Sequence, residues 1–136
     1  SMDKGRSRLF EALLRPGQTE TLRVQVQRRQ LHQRHLVVDF GSVSGPDSPS
    51  SRVHKKRIRG TKPIREVAVN SDNRFFAGLK QIMFKDEEGN ELCKIKPNKT
   101  RKHSHWREIR MKEDETLIGF AGGDNLTSFK LIVLKH

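Results

Sequence analysis

Lysine and arginine are the side chains of this chain that cluster tightly enough to do chemistry, and the chemistry they offer is attraction of anions. His54–Lys62 reads HKKRIRGTK, which places Lys55, Lys56, Arg57, Arg59 and Lys62 in one short run. A second run from Lys94 to Trp106 holds Lys96, Lys99, Arg101 and Lys102, then His103, His105 and the sole tryptophan, Trp106. Several cations in one segment release several counterions when they meet a polyanion, and affinity then depends steeply on salt. An exposed indole beside them can stack on a base or a sugar ring. Each run also has a plainer reading. The first can be a solvated loop whose charge serves solubility, or a nuclear-localisation-like patch. Trp106 can be the first core residue of a strand.

The whole chain supports the cationic reading. Its formal net charge is +12 over 136 residues. Residues 1–65 carry 15 Lys/Arg against 5 Asp/Glu, whereas residues 66–136 carry 13 against 11. A field of that size and asymmetry draws acidic macromolecules: nucleic acid, a sulfated glycan or an acidic protein.

Other chemistries are poorly supplied. His103-x-His105 with Cys93 lacks a third acidic or thiolate ligand at useful spacing, so no metal site is expected, and His32 and His35 read as surface histidines. Asp86-Glu87-Glu88-Gly89-Asn90-Glu91 lacks the ligand alternation of a calcium loop and reads as a polar hairpin turn. Asn98-Lys99-Thr100 and Asn125-Leu126-Thr127 match the glycosylation sequon, a short pattern that chance supplies. There is no G-x-S-x-G, H-E-x-x-H or Walker loop. Cys93, flanked by apolar Leu92 and Ile95, reads as an inert thiol. The sequence therefore predicts a non-enzymatic protein with no cofactor.

The elements that must position the basic runs are mostly strands. Ser7–Arg15 reads as a short helix that must dock, closed by Pro16-Gly17. Leu22, Val24 and Val26 alternate with polar residues, as do Leu36, Val38 and Phe40, and each set predicts a half-buried strand. A helix from Thr21 to His35 is the rival, but its apolar positions fit a 3.6 period poorly. Residues 41–62 are expected to be a flexible loop. Strands follow at 64–69, 79–84, 92–95, 106–111, 117–120 and 129–134, with turns between. Phe129–Leu134, apolar apart from Lys130, reads as buried on both faces. Short strands at this spacing predict a mainly β fold, an antiparallel sandwich or β-prism, with one short N-terminal helix.

The stretch Ile64–Lys135 resembles a jacalin-related β-prism domain. IREVAVNSDNRFFAGLKQIMFKDEEGNEL matches the early strand rhythm of that family, and ETLIGFAGGDNLTSFKLIVLK matches its end, where E-x-I-x-G-x-x-G precedes the last strand. The resemblance implies a glycan site on the terminal turn, at Gly123, Asp124 and Thr127. It departs from the family where the chemistry lies. Thr127 stands at the place of the sugar-binding Asp, Asp124 is out of register, and the N-terminal glycine-rich signature is missing.

One cysteine excludes an intrachain disulfide, and no apolar run approaches the ~18 residues of a transmembrane helix. Ser1-Met2 reads as a cloning scar ahead of an excised domain. The expected organisation is a scar and docking helix at 1–17, then a single β domain at 18–136. The expected location is intracellular, nuclear or cytoplasmic. The leading function is a binding or scaffolding domain that engages a polyanion through both basic runs. The alternatives are a jacalin-like lectin and a protein-interaction domain with no polyanion ligand.

Overall fold

The strand Phe129–Lys135 (β9) shows why this chain folds as it does, because its alternate residues serve two different apolar layers. A computed structural model describes residues 10–39, 53–71, 79–96, 105–122 and 129–136. β9 lies in the middle of a three-stranded sheet, between Phe10–Leu14 (β1) and Glu115–Gly122 (β8). Leu131 and Val133 enter the main core, where Phe129 stacks on Phe120 with ring centroids 6.0 Å apart. Ile132 and Leu134 join Ile118 in a second cluster against the helix residue Val24. Both faces of β9 are thus buried, as its sequence predicts.

β1 corrects one expectation. Against the helix expected over 7–15, the described part, Phe10–Leu14, is extended and pairs with β9 in parallel, with Ala12 opposite Ile132 and Leu14 opposite Leu134. A helix of about nine residues gains too little to stand by itself, whereas an extended segment satisfies the open backbone edge of β9. The parallel pairing makes this sheet mixed, while every other strand pairing described is antiparallel, as expected.

The single helix lies further on, at Leu22–His32 (α1), where the sequence suggested a strand. Thr21 caps it: its Oγ1 accepts the Val24 N–H at 3.3 Å. Val24, Gln27 and Leu31 repeat at i, i+3 and i+7, the spacing of one helical face. Val24 and Leu31 pack on apolar neighbours. Gln27 faces inward as a polar residue, which is what hid the helical period. Its Nε2 donates to the Phe120 carbonyl at 3.0 Å and its Oε1 accepts the Phe120 N–H at 3.1 Å. β8 is an edge strand with a bulge between Leu117 and Gly119, and the Gln27 amide supplies the ladder bonds that a neighbouring strand would. A Cβ on Gly119 would meet Gln27 Oε1, so a side chain there would push the Gln27 amide off the Phe120 backbone.

His35–Asp39 (β2) and Val53–Arg57 (β3) form a two-stranded antiparallel ribbon. Leu36, Val38 and the following Ile58 bury themselves in the main core. The four-stranded sheet runs Glu91–Ile95 (β6), Leu79–Lys85 (β5), Glu66–Ser71 (β4) and His105–Arg110 (β7), with every pairing antiparallel. Its inner face carries Val67, Val69, Ile82, Phe84, Ile95 and Ile109 into the same core. All three sheets therefore share one apolar interior, and the fold is mainly β with one short helix. Among the described residues, no helix is long and apolar enough to cross a membrane.

Candidate functional site

The first basic run is a strand and not a loop, which alters how its cations are presented. β3 is held by β2, with Lys55 opposite Val37, Lys56 opposite Leu36 and Arg57 opposite His35. Lys55, Lys56, Arg57 and the following Arg59 are all exposed. Strand geometry sends Lys55 and Arg57 to one face, their Cα atoms about 6.7 Å apart, and Lys56 to the other. The run is thus extended and fixed in register, so presenting its charges costs little further ordering.

The described parts of the two basic runs meet. β3 packs beside β6, and the Arg59 N–H donates to the Leu92 carbonyl at 2.9 Å. Burial pushes the Cys93 thiol above its ordinary value, while the nearby charges of Lys56 and Arg59 work in the opposite direction. Lys96, which follows β6 directly, is exposed. Cys93 itself lies in the core, only 5% exposed.

Lys62 differs from the rest of its run. Its Nζ lies 2.8 Å from Glu88 Oε1, and that hydrogen bond raises its pKa. Glu88 belongs to the 86–90 turn, which Asp86 organises. Asp86 Oδ1 accepts the N–H groups of Glu88 and Asn90, each at 2.9 Å. Burial opposes ionisation of Asp86, but these bonds and the Lys62 charge prevail and hold its carboxyl below the usual range. The segment is a hairpin turn closed on itself, as the sequence predicts. In contrast to Lys62, no carboxylate pairs with Lys55, Lys56, Arg57 or Arg59 among the described residues.

Trp106 is 46% exposed and so is not a core residue. It stands on β7, at the opposite edge of the sheet from β6, about 14 Å away at ~4.8 Å per strand. It shares the outer face with Asn70 and Gln81. The Asn70 carboxamide is buried and has no hydrogen-bond partner on either atom among the described residues. His105 is exposed beside Trp106. The sheet therefore separates Trp106 from the β3–β6 border. Lys99, Arg101, Lys102 and His103 lie outside the described residues, as do Gly123, Asp124 and Thr127, on which a jacalin-type glycan site would rest.

A second cation cluster escapes any reading of local sequence. Arg28, Arg34 and Arg65 come from three places in the chain and line one cleft with His32. Arg65 is the structural member. Its guanidinium donates to the carbonyls of Glu115 at 3.0 Å, Met111 at 3.1 Å and Lys112 at 2.6 Å, and so staples the turn between β7 and β8.

The chain matches no protein-family model, no curated protein and no solved structure. The functional reading therefore rests on the chemistry of these surfaces.

Proposed function

We propose that this chain is a non-enzymatic binding domain for a polyanion, engaged through β3, Arg59 and the adjoining Lys96. The observation that carries the reading is the set Lys55, Lys56, Arg57 and Arg59: exposed, consecutive on or just after one strand, and without a carboxylate partner among the described residues. By contrast, Arg28, Lys62, Lys85, Lys94 and Lys135 each pair with a carboxylate of the same chain. Those of β3 leave their field to a partner whose charge is repeated along its length. Phosphate and sulfate polymers have that property, and each contact with one releases a bound counterion.

The test is a binding titration with heparin and with duplex DNA. Changing Lys55, Lys56, Arg57 and Arg59 together to Gln lowers affinity for both by at least tenfold at fixed salt. The matched control, Lys85, Lys94, Arg110 and Lys135 changed to Gln, removes four cations already engaged by groups of the same chain and costs much less. Equal losses in the two variants would reduce the reading to net charge alone.

A further inference from the structure

A cleft of about 440 Å³ opens between the second half of α1, the 61–65 segment and the start of β8. Its volume falls within the range of small-ligand sites. Arg28, Arg34 and Arg65 contribute guanidinium groups, and Glu115 is the one carboxylate among the lining residues. Ile64 and Leu117 supply apolar wall. We propose that this cleft binds a small organic phosphate monoester, with the phosphate on the Arg28–Arg34 side and the organic part against Ile64 and Leu117.

Charge is the first argument. Three guanidiniums against Glu115 in the lining and Glu20, which pairs with Arg28 just outside it, leave the cleft net positive, and a phosphate monoester carries between about −1.5 and −2 near neutral pH. Donor capacity is the second. Arg65 is already spent on three carbonyls and acts as a fixed charge. Arg28 places one nitrogen 2.6 Å from Glu20 Oε2, outside the cleft lining. Arg34 donates Nη2 to the Arg59 carbonyl at 2.6 Å, but its Nε is buried and has no acceptor. A buried charged donor without a partner is rare in a folded protein, and a turn of the guanidinium toward the cleft would let a phosphate oxygen satisfy it. Backbone conformation is the third. Arg34 follows the helix cap with φ 64°, a left-handed position that glycine ordinarily fills. The chain accepts that strain at a residue whose guanidinium lines the cleft, and such strain gathers at functional sites. The cleft is distinct from the β3 surface and meets it at Arg34, which donates to the Arg59 carbonyl and whose own carbonyl accepts the Ile58 N–H at 2.8 Å, and the cations proposed for the two surfaces are different residues.

Calorimetric titration of the full chain with adenosine 5′-monophosphate tests the inference, with adenosine and inorganic phosphate as parallel arms. The expected result is saturable binding of one nucleotide per chain, weaker binding of phosphate and none of adenosine. Arg34→Gly lowers nucleotide affinity at least tenfold without lowering the melting temperature, because φ 64° suits glycine. Should Arg34→Gly lower the melting temperature, Arg28→Gln carries the test: a severalfold loss supports the site and unchanged binding overturns it. Lys55→Gln/Arg57→Gln leaves nucleotide binding intact. Three results would overturn the site: no saturable binding at millimolar nucleotide, binding no tighter than that of inorganic phosphate, or equal binding by a stably folded Arg34→Gly.

Discussion

The outer face of the four-stranded sheet and the exposed flank of β3 carry similar cations and treat them differently. On the sheet, Lys85 lies 3.8 Å from Glu108, Lys94 lies 3.8 Å from Glu91, and Arg110 donates to the Glu87 carbonyl at 2.9 Å. Glu66 stands among these groups with its carboxyl held above the usual range, first by burial and then by the neighbouring Glu108 charge. On β3, Lys55, Lys56 and Arg57 follow one another with no acid in range among the described residues. The difference restates in space the charge imbalance of the sequence, +10 in residues 1–65 and +2 in residues 66–136. Balanced charges cancel within a few ångströms and leave little field for a partner. Unbalanced charges held on a strand project theirs into solvent.

If both surfaces rest on one interior, weakening it must unfold them together. Phe129→Ala removes a buried ring stacked on Phe120 and costs about 3–5 kcal/mol, read as a single transition in denaturant. Two separate transitions would mean that the sheets do not share a core. A smaller effect separates structural cations from surplus ones. Arg65→Ala leaves three carbonyls short of a donor and costs about 1–3 kcal/mol, whereas Arg57→Ala stays within about 0.5 kcal/mol. Comparable costs for the two would show that β3 cations also hold the fold.

Acid titration sharpens the contrast from the balanced side. Asp86 has its folded pKa below the ordinary carboxylate value of about 3.9. Its contribution to stability is therefore complete above that value and is lost as pH falls through the lower, folded one. Asp86→Asn flattens this acid limb, and the unfolding midpoint followed from pH 6 to pH 2 reads the change. Glu66 works with the opposite sign, because its raised pKa favours the folded state at low pH and that help is lost as pH rises through it. Lys85→Gln is expected to have a small effect. It breaks a 3.8 Å pair with an exposed partner and costs less than about 1 kcal/mol.

Much of the sheet structure is written in local pattern. β4 to β9 fall where alternation and turn residues place them, and the Asp86–Asn90 turn closes as its composition suggests. What the pattern conceals are residues whose role is set from a distance. Gln27 breaks the apolar period of α1 because its partner is the backbone of Phe120, 93 residues away. Arg34 stands where a glycine would have announced the end of the helix. The β1 strand exists because β9 offers it an edge, and nothing within residues 7–15 signals that edge. For the candidate surface, the identity of the cations was legible and their presentation was not. The pairing of Lys62 with Glu88, the strand form of Lys55–Arg57 and the distance of Trp106 from both come from tertiary contacts. The cleft cations Arg28, Arg34 and Arg65 are too far apart in sequence to read as one cluster.

The central claim is that surplus charge on β3, and not charge in general, is the polyanion surface. Its most direct test is the salt slope of duplex DNA binding, log K against log of salt concentration, for the native chain and for the variant with Lys55, Lys56, Arg57 and Arg59 changed to Gln. Each phosphate contact contributes about 0.9 to the slope on duplex DNA. The account predicts that the variant's slope is shallower by about 3–4, with the unfolding midpoint unchanged. A slope within about 0.5 of the native value would contradict it and place the contacts elsewhere on the molecule.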